Sequence, residues 1–409
     1  MRFFKAGIFL LAAVLISCGD IKTVQIWTDR PEFAIYADYF NNVQNKYKVS
    51  VRYKEFPTAN LGRGNSPDII VASWLNNSST PVFFKPLNNL FGSSKLSRDT
   101  FYPQLLSAGM IDRKQYLLPI SFNIPALIFS KDRTQVLSNQ FTIDFDEIKE
   151  LSKIFNVESR GEFTRMGFSP LWNDDFLFTV TILGDASFRE ANPLAWNSTA
   201  LDKSIDFINN WTNEINNSIR MDEDFYFKFF IQPPERLIQS GRIFFSYIES
   251  DDLFLLSEDI KNDLDFRWIM EDDKIPILEE AVYMGIPRWS RSRKATEAFI
   301  LWFLTVENQR RLMEYSRNNR INENIFGISG GFSALSPVME QVYPLFYPEL
   351  LGRKPPSENF LQPNILPGNW VAIKERVIFP YLHDRTRVEY TNEVTPLEYR
   401  LTNWMRLNR

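Results

Sequence analysis

Apolar residues crowd the start of the chain from Ala6 to Ile16, behind the basic residues Arg2 and Lys5 and ahead of the small residue Ser17. Such a run is shorter than the roughly 20 apolar residues that span a bilayer, and its flanks have the grammar of an export signal. Beyond it the pattern changes to short alternations and helical periods. Val24-Gln25-Ile26-Trp27 reads as a strand, Asp29 and Glu32 make a capping box around Pro31, and Phe33, Tyr36, Ala37, Phe40 and Val43 recur at helical spacing. Val49, Val51 and Tyr53 alternate with Ser50, Arg52 and Lys54 as a second strand. Ile69-Ile70-Val71-Ala72 is apolar on both faces, as in a parallel sheet covered by helices. Strand, helix, strand, connection and buried strand open a doubly wound α/β domain.

The pattern then repeats in kind. Leu117 to Ser121 and Ala126 to Phe129 are strand-like runs separated by a polar break at Asn123. Asp144 is placed to cap a helix that buries Phe145, Ile148, Leu151, Ile154 and Phe155, and Asn197 to cap one that buries Leu201, Ile205, Ile208 and Trp211. Gly167 to Trp172 reads as a strand end and Gly241 to Ser246 as a strand, so a second α/β domain follows the first. One amphipathic helix is expected from Lys294 to Tyr315, with Ala295, Ala298, Phe299, Trp302 and Val306 on one face. A proline-rich connection between about Tyr343 and Pro367 leads to a helical end around Trp370 to Val377.

Composition narrows the chemistry. Cys18 is the only cysteine of the 409 residues, and it follows the export-type run directly. Leu15-Ile16-Ser17-Cys18-Gly19 resembles the lipobox cut by lipoprotein signal peptidase, which makes residues 1–17 a signal peptide and Cys18 the acylated N-terminus, carrying chains such as palmitate. One cysteine and one histidine, His383, exclude internal disulfides and zinc sites built on several such ligands. The formal net charge of −4, without a basic block, excludes nucleic acid as a partner. The sequence carries no P-loop, no G-x-G-x-x-G and no G-x-S-x-G elbow, so neither a cofactor nor a catalytic motif is expected. Asp251-Asp252 and Asp272-Asp273 read as solvated turns and His383 as a surface residue.

In order along the chain, several segments resemble the extracellular solute-binding proteins of ABC importers, in the branch that handles sugars and oligosaccharides. They are Pro67-Asp68-Ile69-Ile70, Lys85-Pro86-Leu87-Asn88-Asn89-Leu90, Gln115 to Pro119, Asn123 to Asp132, Phe145-Asp146-Glu147-Ile148, Ser290 to Arg311, and Asn364 to Pro367 with Trp370. Two departures fall where that family binds ligand: Asn173-Asp174-Asp175 replaces an expected glycine, and Gly241-Arg242-Ile243-Phe244-Phe245 carries a bulky residue where the family prefers alanine. The resemblance implies an α/β, two-lobed periplasmic-binding-protein-like fold with a ligand cleft between the lobes. Residues 18–125 plus 276–334 would form the first lobe, and 126–275 plus 335–409 the second.

It also implies a receptor in the cell envelope, lipid-anchored to a membrane and facing the periplasm or the exterior, that binds a sugar or oligosaccharide and serves ABC permease subunits. A sugar presents hydroxyls at its edge and C–H groups on its faces, so aromatic plates and polar side chains are the groups to seek. Aromatics supply 15% of the residues. The candidates that follow predicted strands or mark crossovers are Trp27, Asp29, Trp74, Asn123, Trp172, Asp174, Tyr247 and Tyr283. For each, core packing or helix capping is the competing role, and Trp370 reads as core. A glycan hydrolase using a pair such as Asp174 and Glu249 is the alternative, as is a surface lipoprotein that uses the fold for adhesion or signalling.

Overall fold

The computed structural model describes residues 23–408, apart from 60, 63–65, 93–94, 193, 321–323 and 388–393. The export signal and Cys18 lie outside the described residues. Strands β1 (Thr23–Thr28), β2 (Lys48–Tyr53), β3 (Ile69–Ala72) and β4 (Leu117–Phe122) come first; β5 (Pro125–Ser130), β6 (Thr142–Ile143), β7 (Ser246–Glu249) and β8 (Leu264–Ile269) follow; β9 (Val282–Gly285) and β10 (Phe332–Ser333) come last. They form two main sheets, ordered β10-β4-β9-β3-β1-β2 and β7-β5-β8-β6. β1 pairs in parallel with β2 and β3, whereas β9 runs antiparallel between β3 and β4. The doubly apolar β3 is buried at every residue, as its pattern requires. Pro119 sits within β4, which is paired on both sides, and the register to β9 shifts between Val282 and Tyr283 beside it. A residue with no N–H is thereby accommodated at a bulge.

The caps at Asp144 and Asn197 form: each side chain accepts a backbone N–H three residues on, from Glu147 at 2.8 Å and from Ala200 at 3.2 Å. Phe145, Ile148 and Phe155 are buried, but Ile154 is 78% exposed, since it lies about 100° around the helix from Phe155. The expected helix from Lys294 to Tyr315 is two helices, Arg293–Phe303 and Val306–Asn318, because Thr305 caps the second by accepting from Asn308 N at 3.3 Å. Both return to the first lobe, where Phe303 meets Phe33 at 5.3 Å and Phe299 meets Phe40 at 5.2 Å. No capping box forms at Asp29, whose carboxylate instead accepts from Ser73 N at 3.3 Å. Residues 241–245 are a loop rather than a strand: Gly241 turns at φ +69°, and the N–H groups of Phe244 and Phe245 both reach Gly167 O at 3.0 Å. Near it, Pro170–Trp172 is a single 3-10 turn.

Between the lobes the chain passes three times. The first passage, from β4 to β5, contains only Asn123 and Ile124. The second, between β8 and β9, pairs Ile275–Pro276 in parallel with Phe360–Leu361 of the third, which runs on to the helices from Trp370. Helices Ser336–Gln341 and Tyr343–Phe346 still pack on the first lobe, with the Tyr343 hydroxyl bonded to Gly331 O at 2.5 Å, so the last exit comes beyond residue 334. Asn123 ties the first two passages and both lobes together. Its Nδ2 donates to Gly330 O at 2.9 Å, its Oδ1 accepts from the Ser250 hydroxyl at 2.7 Å, and its carbonyl accepts from Leu278 N at 2.9 Å. Gly331 lets its loop come this close, since a Cβ there would lie 2.7 Å from Phe122 O. Asn123→Ala leaves partners on both lobes unpaired, and urea denaturation is expected to show a loss of about 2 kcal/mol.

Candidate ligand-binding cleft

A cavity of about 480 Å³ lies between the lobes beside the hinge, within the range of small-molecule sites. Arg30, Trp74, Ser121 and Gly330 line it from the first lobe, and Asp175, Phe178, Tyr247 and Glu249 from the second. Trp74 follows β3 with φ +61°, a left-handed conformation that costs a tryptophan about 1 kcal/mol or more and holds its ring toward the apolar cluster of the second lobe. Across the lobes and outside the lining, Ser78 of the first lobe donates to Glu190 of the second through its N–H and hydroxyl, at 2.6 and 2.8 Å. Trp370, fully buried, closes the floor together with Phe178 and Phe188.

Carboxylates dominate the polar lining. Lys374 joins Asp175 and Glu279 at 3.0 and 2.9 Å and lies 4.6 Å from the centre of the Phe178 ring. It opens a π-helical turn, Lys374–Ile378, directly ahead of Phe379-Pro380. Pro380 cannot donate the next helical bond, and the widened turn absorbs that defect. Burial pushes the Glu249 carboxyl up to about 8, helped by Asp251 and Asp175 and opposed by Lys374. Asp251 is raised to about 6, again by burial first and then by Asp252. The Tyr247 hydroxyl, one Asp251 oxygen and one Glu279 oxygen are buried without a hydrogen-bond partner.

No protein-family model matches the chain, and no curated protein matches it either. Solved structures do. An ABC substrate-binding protein of Listeria monocytogenes in complex with cycloalternan is 14% identical, over 94% of this chain and 97% of that one, with a TM-score of 0.60. The maltose/maltodextrin-binding domain of Bdellovibrio bacteriovorus bound to maltotriose is 14% identical over 94% and 100%, with a TM-score of 0.57. The maltose-binding periplasmic protein of Listeria monocytogenes in complex with maltose is 14% identical over 95% and 98%, with a TM-score of 0.62. The fold is that of the two-lobed periplasmic binding proteins.

Within this binding-protein fold, the sequence-derived candidates separate. Trp74 and Tyr247 line the cavity from opposite lobes, and Asn123 lines it with its amide already engaged in the hinge. The other five candidates are not in the lining. Trp27 is buried in β1 beneath Lys54, whose Nζ lies 3.2 Å from the ring centre. Asp29 faces Arg30 at 3.3 Å, and it is Arg30 that reaches the cavity. Trp172 stacks on Phe225 at 5.7 Å and donates to the buried Asp222 at 2.7 Å. Asp174 pairs with His383 at 2.6 Å, so His383 is not the free surface residue expected. Its neighbour Asp175 points inward instead, because successive residues of a helix are turned by about 100°. Tyr283 bonds Leu105 O at 3.4 Å on the far side of the sheet, while Val282 faces the cleft, by the alternation of a strand.

Asp251, Asp252, Lys374 and the Glu279-Glu280 pair line the cavity although the sequence reading did not select them. The signal in the sequence is the density of acidic pairs, of which Asp251-Asp252 reads as a solvated turn. A carboxyl whose folded pKa is raised stabilises the fold at low pH and loses that contribution as pH rises from its unfolded value through the folded one. For Glu249 and Asp251 the window runs from about 4 to about 8. Thermal unfolding of the ligand-free chain should therefore show stability falling from pH 5 to about 8, with a flatter profile in Glu249→Gln combined with Asp251→Asn.

Proposed function

We propose that the chain is the lipid-anchored substrate-binding receptor of an ABC importer and closes its lobes on a sugar or oligosaccharide. The observation that carries this is the interlobe cavity itself: it lies on a three-passage hinge and is lined by Trp74 and Tyr247 from opposite lobes together with polar groups. Three proteins of the same fold are bound to cycloalternan, maltotriose and maltose, which supports a glycan ligand. The lipobox-like segment at Cys18 supports an anchor in the cell envelope, with the body facing the periplasm or the exterior and delivering to permease subunits. Among the described residues no helix is long and apolar enough to cross a membrane. Binding without turnover is the reading for chemistry, since Asp174 is engaged by His383 and no Asp174–Glu249 acid and base pair faces the cavity.

A thermal-shift screen against sugars with product analysis tests this. A true ligand at a hundredfold its Kd should add about 2.7 kcal/mol of stability with no cleavage. Product release would mean a hydrolase, and a flat response would favour adhesion or signalling. Trp74→Ala is expected to weaken sugar binding at least about tenfold while costing about 1 kcal/mol or less of stability. Trp370→Ala should cost about 3 to 5 kcal/mol, as a core truncation does. Ligand titration beside urea denaturation separates the two, and unchanged affinity in Trp74→Ala removes that ring from the site. Cys18→Ser should leave the chain folded but unprocessed and unlabelled by palmitate in cells; labelling of that variant would refute the anchor.

A further inference from the structure

The chain as a whole is nearly charge-balanced, with a formal net charge of −4 over 409 residues. Its cavity is not: seven carboxylates line it against two cations, Arg30 and Lys374. Both cations are already engaged, Arg30 by Asp29 at 3.3 Å and Lys374 by Asp175 and Glu279 at 3.0 and 2.9 Å. Glu249, Asp251, Asp252, Glu280 and Glu375 remain, and among the described residues none of them has an ion-pair partner. The second observation is the set of orphan atoms in the same cavity. Tyr247 is only 8% exposed and its hydroxyl has no partner, as is the case for one oxygen each of Asp251 and Glu279. Burying a carboxyl group without counter-charge is unfavourable, and the fold keeps Glu249 and Asp251 partly buried at one cavity, with Asp252, Glu280 and Glu375 exposed beside them.

A neutral sugar supplies hydroxyl donors that a carboxylate can accept, but it brings no charge to offset this acidic lining. A cationic ligand does. The aromatic walls restrict its shape: Trp74 and Tyr247 suit flat ring faces, which a linear polyamine lacks. We propose that the cleft selects an oligosaccharide bearing protonated amino groups, with the ammonium groups among Glu249, Asp251, Asp252 and Glu280 and the rings against Trp74 and Tyr247. This rests on the sugar-receptor reading of the cleft. In the empty protein Glu249 faces Asp251, Asp175 and Glu280, with Lys374 opposing, and holds its proton at neutral pH. A cation entering this group releases that proton, so binding is coupled to proton release.

The test is calorimetric titration of the full chain with a glucosamine trimer, its N-acetylated counterpart, maltotriose, spermidine and, as a second amino-sugar scaffold, kanamycin. At least one of the two amino sugars should bind at least about tenfold more tightly than the acetylated trimer and maltotriose, about 1.4 kcal/mol. The preference should weaken as salt is raised, and the apparent enthalpy should vary with buffer ionisation as protons are released. Glu249→Gln with Asp251→Asn should abolish most of the preference; if that pair fails to fold, Asp252→Asn at its exposed position should reduce it. Maltotriose or the acetylated trimer binding as tightly as the amino sugars would overturn the inference and leave the sugar receptor standing. Spermidine binding alone, or no binding by any of the five, would overturn both.

Discussion

The first and second passages between the lobes are bonded at Asn123, whose carbonyl holds Leu278 and whose side chain joins Gly330 of the first lobe to Ser250 of the second. The third passage pairs with the second at Ile275–Pro276. Donor and acceptor are both satisfied across the lobes, and short passages of this kind are the element about which hinge closure around a ligand is built. The residues that flank these bonds are carried into the cavity with them: Ser121 and Phe122 on one side, Ile248 and Glu249 on the other. Phe254 of the second lobe stacks on Phe326 at 4.7 Å, so an aromatic contact supports the same hinge. The cleft exists because short passages force two sheet ends to face each other.

Around that frame the cavity is held in an unfavourable state. Trp74 is fixed in a left-handed conformation, and buried acidic groups crowd one another with Lys374 as their nearest relief. Strain and unmet charge of this kind persist only where the surrounding structure over-determines them. The two large apolar clusters do so here, with β3 fully buried on one side and Trp211 and Trp370 on the other. Stability resides in the lobes, and the space between them is left to be completed by a ligand.

The two departures from the family pattern have different meanings in the structure. Phe244 and Phe245 pack on Phe155 and Phe129 at 5.4 and 5.9 Å, which makes that change a core substitution. Asn173 and Asp175 line the cavity. Identity of 14% over almost the whole chain goes with the same architecture, while the chemistry of a cleft on a shared fold is free to change.

The alternation and helical periods by themselves determined the α/β class, the buried β3, the caps at Asp144 and Asn197 and the break at Asn123, since each depends on neighbours within a few residues. Whether a residue after a strand faces ligand or core was decided by the tertiary structure. Trp172 and Trp74 look alike in sequence, yet one finds Asp222 and Phe225 from a distant helix and the other finds the cleft. Asp174 and Asp175 differ only by one step around a helix, and that step selects His383 or Lys374 as the partner. Glu249, Asp251, Glu279 and Lys374 come from segments as much as 125 residues apart, and Lys374 reaches the three acids only because the third passage returns to the second lobe. Local periodicity cannot encode that juxtaposition, which is set by long-range packing.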